Sequence, residues 1–332
     1  GLLGSPRRRR GLPALRGKQV FVPPMAYGSA RLFCAGFQAH GVDARATPTS
    51  DDETRELGTR HTAGDECFPA KVTLGDFVRG LRTPGVDPAR AVLFMPTADG
   101  PCRFGQYAPY LRRTLDALGY EETTILSPSS KDGYAGLGRG ALAFFRTQWR
   151  ALVAADILRK LLLMHRPHEV DPGSTDDLYE ACLETVAEAV RDGDADPTHE
   201  LDAIRNALIR CRDGFRALPI ERSADAPRIG VVGEIFCRLN RFTNQDLVRQ
   251  LEAHGAEIWM TDLTEWVGYP NAQHARSLRL RGRRWSRESA RAWVRRHVER
   301  RDEHAILEPF RKDFEGREEP PLEEVFAAAE PY

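Results

Sequence analysis

Three cysteines stand where chemistry is most readily built. Cys67 lies in Gly64-Asp65-Glu66-Cys67-Phe68-Pro69-Ala70-Lys71, a loop that runs straight into a helical pattern. Cys102 lies in Gly100-Pro101-Cys102-Arg103-Phe104-Gly105-Gln106-Tyr107, which leaves an apolar run, turns through Gly100-Pro101 and enters a second helix. Cys237 lies in Gly233-Glu234-Ile235-Phe236-Cys237-Arg238-Leu239-Asn240, again between an extended run and a helix. A thiolate at a helix N-terminus faces free N–H groups and the positive end of the helix dipole, which favours the charged, ligating form. Three thiolates on one edge could hold an iron–sulfur cluster, a zinc ion, or nothing, as inert core thiols. A Cys–His nucleophile with His61 is a further reading that no spacing supports.

Those cysteines need elements to position them. Short apolar runs at 18–22 (closed by Pro23-Pro24), 42–46, 91–95 and 123–126 read as strands. Helical patterns lie between them at 28–40, 51–58 (capped by Ser50 or Asp51), 69–81 and 104–118. The alternation predicts a mostly parallel sheet with crossover helices, a first α/β domain over 18–130. Open sheets of this kind bind ligands at the carboxyl ends of their strands, where Cys67 and Cys102 fall. Long helical patterns at 137–165 and 176–212 make 131–226 a helical connection. Alternation resumes at 228–232, 244–254 and 257–260, a second α/β unit over 227–332 with too few strands to be complete. Residues 1–17, with Arg7-Arg8-Arg9-Arg10, read as a basic linker. A first residue that is not Met and an end at Tyr332 lead us to expect a piece of a longer protein.

Other residues were weighed beside the cysteines. Lys71 and Arg103 could neutralise an anionic group or hold a phosphate, or simply be solvated. Glu66 and Glu234 could orient ligands or move protons. Cys34, Cys182 and Cys211 lie inside helical patterns and read as packing. His165 and His168 have helical spacing, but Pro167 breaks the helix between them. The basic stretch 279–301, with Trp285 and Trp293, reads as a charged helix face that docks on another domain rather than on nucleic acid, because Glu288 and Glu299 intersperse it. There is no Walker A motif and no GxGxxG fingerprint. Gly173-Ser174-Thr175 follows no strand and reads as a helix cap.

The cysteine segments resemble a known family. Residues 64–77, 100–107 and 233–247 resemble the 2-hydroxyacyl-CoA dehydratase superfamily, in particular its large CoA-substrate activase-related branch; Val22-Pro23-Pro24-Met25 and residues 251–257 fit the same pattern. The resemblance spans most of 18–332 and is weakest across the helical middle. It implies flavodoxin-like α/β units and a [4Fe–4S] cluster. Cys67 and Cys102 match the first two cluster cysteines. The third family cysteine falls in a later segment, and Cys237 is the candidate to stand in for it.

The implied role is an iron–sulfur electron-transfer component of an ATP-dependent system that dehydrates or reduces a CoA thioester. A cluster-free scaffold or regulatory member of the family and a zinc-stabilised binding protein are the alternatives. Expected partners are an ATP-hydrolysing activase domain or subunit, a CoA thioester and a second copy of the chain in a dimer. A cytoplasmic location is expected.

Composition narrows the classes further. In 332 residues, Lys+Arg and Asp+Glu both number 48, so the formal charge is zero and a globally basic nucleic-acid binder is disfavoured. Charged residues break every apolar run before the roughly 18 clean residues that a membrane span needs. Six widely spaced cysteines are too few for a disulfide scaffold.

Overall fold

The structure is a computed structural model that describes residues 11–97, 102–128, 135–193, 196–222, 226–283 and 285–330. The chain begins β1 (Gln19–Val22), α1 (Tyr27–Ala39), β2 (Asp43–Ala46), α2 (Asp52–Arg60), α3 (Phe68–Leu81), β3 (Ala91–Phe94), α4 (Tyr107–Ala117) and β4 (Thr124–Leu126). These strands form one parallel sheet in the order β2-β1-β3-β4, with Gln19 opposite both Asp43 and Ala91, and Val92 opposite Thr124. Every residue of β3 is buried. A strand covered on both faces is an unbroken apolar run, which is why Ala-Val-Leu-Phe stands out in the sequence.

One face of the sheet is covered by α1, with Phe37 and Cys34 packed near Val20, Val92 and Phe94. The opposite face is covered by α3 and α4, through Leu74, Phe77, Leu111 and Leu115. Leu12 and Leu15, within the stretch read as a linker, are 2% and 4% exposed and join the α1 core. Residues 11–17 thus belong to the first unit, because two leucines give them apolar surface to bury. The tetra-arginine run lies outside the described residues.

The helical middle comprises α5 (Ala141–His165), α6 (Ser174–Asp192) and α7 (Pro197–Ala217). The continuous pattern read over 176–212 is therefore two helices. Pro197 has no N–H for an upstream carbonyl, and Asp196 caps the new helix by accepting from the Thr198 N–H at 2.7 Å. Apolar spacing alone carried across this break. Nor is the middle a bare spacer. Phe144 of α5 lies 4.7 Å from Phe37 between ring centroids, and Gln148 donates to the Phe33 carbonyl at 3.0 Å.

The remaining elements are β5 (Arg228–Val231), α8 (Ile235–Leu239), α9 (Leu247–Ala253), β6 (Glu257–Met260), α10 (Leu263–Leu280), α11 (Arg287–Leu307) and α12 (Leu322–Ala329). β5 and β6 form a two-stranded parallel sheet with Arg228 opposite Glu257. The helix expected from 244 starts at Leu247, since Gln245 and Asp246 hold φ of 55° and 59°. The basic helix α11 is anchored from inside by Asp302, which accepts from Arg146 Nε at 2.6 Å and Arg150 Nε at 2.7 Å; Arg150 and Asp302 are both fully buried. Trp285 and Trp293 face outward. Among the described residues, no helix is long and apolar enough to cross a membrane.

Candidate functional site

Cys67 is the N-cap of α3, half-buried, and its carbonyl accepts from the Ala70 N–H at 2.9 Å. Because α3 runs back towards the start of β3, its N-terminus sits at the carboxyl edge of the sheet. The position of Cys67 depends on how closely α2 and α3 approach. A Cβ on Gly58 would stand 1.9 Å from the Lys71 carbonyl oxygen, and one on Gly75 would stand 1.9 Å from that of Thr54. Glycines let the two backbones touch, which sets the short 61–67 loop between the helices.

That loop is held by its own charges. The Glu66 carboxylate accepts from the Ala63 and Gly64 N–H groups at 3.0 Å each, and those bonds hold its pKa below the ordinary range. Lys71 Nζ donates to the Gly64 carbonyl at 3.3 Å. Arg103, the residue after Cys102, donates through Nη1 to the Asp65 carbonyl at 2.6 Å, and the Tyr110 hydroxyl donates to the His61 carbonyl. Both cysteine segments are thereby fastened together. Three of the charged residues weighed as ligand-orienting or phosphate-holding are engaged in shaping the loop.

Cys102 is exposed and leads through a 3-10 turn (Arg103–Gln106) into α4. Gly100 and Pro101, read as the turn before Cys102, lie outside the described residues. Cys237 is half-buried in α8, whose N-cap is Glu234; its carboxylate accepts from the Cys237 N–H at 2.8 Å. This reverses the expectation that a helix start would favour a Cys237 thiolate. Burial, the Glu234 charge and nearby Cys67 push its pKa up to about 11. The carboxylate has taken the N–H that would have stabilised the sulfur, and it repels negative charge there.

The three segments meet at Tyr107, in the first turn of α4. Burial and then Cys67, Glu234 and Cys102 all push its phenol pKa upward. Arg103 thus fastens the Cys67 and Cys102 segments at one edge, and Cys237, in α8, lies close enough to Cys67 for their charges to interact. Asn240 holds α8 there, donating to the Pro24 carbonyl at 3.1 Å and to Ser50 Oγ at 3.0 Å. Beside Cys67, a cavity of about 270 Å³ is lined by Thr73, Phe77, Met95, Tyr107 and Leu111. Among the described residues, no group of three His, Cys, Asp or Glu side chains is gathered closely enough to hold a metal ion. The donors are soft thiols at loop and helix starts, chemically suited to a cluster, and they would have to close in to share one.

The other cysteines are packing residues. Cys34 is 5% exposed, and burial pushes its thiol pKa up to about 12. Cys211 donates weakly to the Cys182 carbonyl at 3.8 Å between α7 and α6. Gly173 is the N-cap of α6, as its sequence suggested. Reading for ligand types passed over Tyr107 and Asn240. Both lie inside the cysteine segments, but only their contacts give them a role. No family model, curated protein or solved structure matches the chain.

Proposed function

We propose that Cys67, Cys102 and Cys237 hold a [4Fe–4S] cluster, and that the chain is an electron-transfer component of an ATP-dependent CoA-thioester dehydratase or reductase system. The observation that carries this reading is the Arg103–Asp65 hydrogen bond that fastens the Cys102 segment to the Cys67 loop, with Cys237 near enough to Cys67 to feel its charge. The family resemblance supplies the cluster type, the flavodoxin-like character of the two sheets, the activase partner and the thioester. When bound, such a cluster supplies one-electron chemistry at low potential.

The chain's own residues position and shield. The α3 N-terminus presents N–H groups to negative charge at Cys67. Arg103 ties the Cys102 segment to the Asp65 carbonyl. Tyr107 offers an O–H beside Cys67. Cys237 must lose a proton that Glu234 and burial help it keep, so its ligation is favoured only where a metal competes for the sulfur.

That same raised pKa, with the absence of a gathered triad among the described residues, favours a second reading: a cluster-free scaffold of the same family. Anaerobic reconstitution with iron and sulfide separates the two. The cluster reading expects a brown protein with broad visible absorption, and a Cys67→Ser, Cys102→Ser double variant that loses its iron. A colourless wild-type chain supports the scaffold, stoichiometric zinc supports the zinc alternative, and full iron in the double variant removes the shared site.

A further inference from the structure

A second cavity, of about 820 Å³, opens between the first sheet, the helical middle and α8. It is arginine-rich, and most of those charges are already matched. Arg166 pairs with Glu252 and Asp176, Arg249 with Asp176, and Arg241 with Asp246. Arg238 differs. No carboxylate lies within ion-pair distance of it among the described residues, and its Nε is buried with no hydrogen-bond partner. Arg159 stands near it with only Nη2 engaged, on Asp156, Asp262 and the Thr261 carbonyl; its Nε and Nη1 are also buried and unpartnered. Burial, and then neighbouring Arg159, disfavour the charge on Arg238, against which Glu265, Glu319 and Asp156 act from beyond ion-pair distance. Two adjacent guanidinium groups thus keep N–H groups that no protein acceptor fills.

Two further features line the same cavity. The N-terminus of α1, a 13-residue helix, has Ala26 at its N-cap, no capping side chain and no acidic residue in its first turn. It follows β1 at the carboxyl edge of the sheet, beside the point where the order turns from β2 to β3, the place where α/β sheets take phosphates. Tyr179 of α6 is 8% exposed, and among the described residues its hydroxyl has no hydrogen-bond partner. That hydroxyl lies 2.3 Å from where a Cβ on Gly28 would be, so only glycine admits it to the first turn of α1.

We infer that this cavity binds a phosphoryl group, held between the α1 N-terminus, Arg238, Arg159 and the Tyr179 hydroxyl. A tetrahedral dianion offers enough acceptor oxygens for a helix terminus, two guanidinium groups and a hydroxyl at once. Phosphoryl-bearing small molecules are the expected class of ligand. The site stands whether or not a cluster is bound at the cysteines.

Isothermal titration of the full chain with inorganic pyrophosphate at about 0.15 M salt, where loose surface pairing is screened, tests it. The expected result is saturable binding that Arg238→Gln weakens about tenfold or more and Tyr179→Phe weakens a few-fold. Tyr179→Phe changes only a hydroxyl, so it carries the test should Arg238→Gln not fold. No saturable binding, or equal affinity in the folded variants, overturns the site. Succinate binding as tightly as pyrophosphate overturns the phosphoryl assignment.

Discussion

Asn240 donates its side-chain amide to Ser50 Oγ at 3.0 Å, and the Ser50 hydroxyl passes the chain on to Asp76, reaching its two carboxylate oxygens at 3.0 and 3.1 Å. This relay joins the second α/β unit to the buried face of α3, the helix that begins at Cys67. Asn240→Ala leaves Ser50 and the Pro24 carbonyl short of a donor, so a loss of about 1–3 kcal/mol is expected in urea unfolding. Cys237 should also alkylate faster as α8 loosens. An unchanged midpoint and rate would show that the relay does not hold α8.

The α2–α3 contact is the least forgiving place near the site. Gly75→Ala drives a methyl against the Thr54 carbonyl, and overpacking of this kind costs about 1–3 kcal/mol or more. Gly230→Ala is the control, because a Cβ there meets nothing within 4 Å. Thermal melts should separate the two variants clearly. Equal melting temperatures would mean that the helices part without cost.

Asp76 gives stability a pH dependence of known sign. Burial raises its folded pKa to about 8, against which the Ser50 and Thr54 hydrogen bonds and Arg79 act. The folded chain then holds this proton while the unfolded chain, with a pKa near the ordinary value of about 3.9, has released it. Its contribution is complete below the unfolded pKa and is lost as pH rises towards 8. Asp76→Asn removes the titration, so the variant should lose less stability than wild type between acid and mildly alkaline pH. Parallel curves across that range in denaturant titrations would refute the assignment.

Thiol accessibility should divide the six cysteines. In the metal-free chain, Cys102 should react first with a disulfide reagent, then Cys67 and Cys237, with Cys34, Cys182 and Cys211 protected until unfolding. Mass mapping of labelled peptides over time reads this order directly. Fast native labelling of Cys34, whose thiol is pushed up to about 12, would contradict its burial.

What the sequence determined by itself is local. The β1 and β3 runs, the Pro and Gly stops and the Asp51 cap belong to neighbouring residues, and the order of strands and helices sufficed for a parallel α/β sheet at 18–126. The same locality let the apolar period run across Pro197 and left Leu12 and Leu15 in a linker, because no pattern states which partner will bury them.

Only the tertiary structure decided which charges meet. Burial and then Glu234, whose carboxylate also accepts from the Cys237 N–H, lift the Cys237 pKa. Arg103 serves a loop carbonyl 38 residues earlier in the chain. Among the described residues, Arg238 has no carboxylate within ion-pair distance, where its neighbouring arginines found theirs. Such pairings depend on separations of a few ångströms between residues distant in sequence, and the folded chain alone sets those distances.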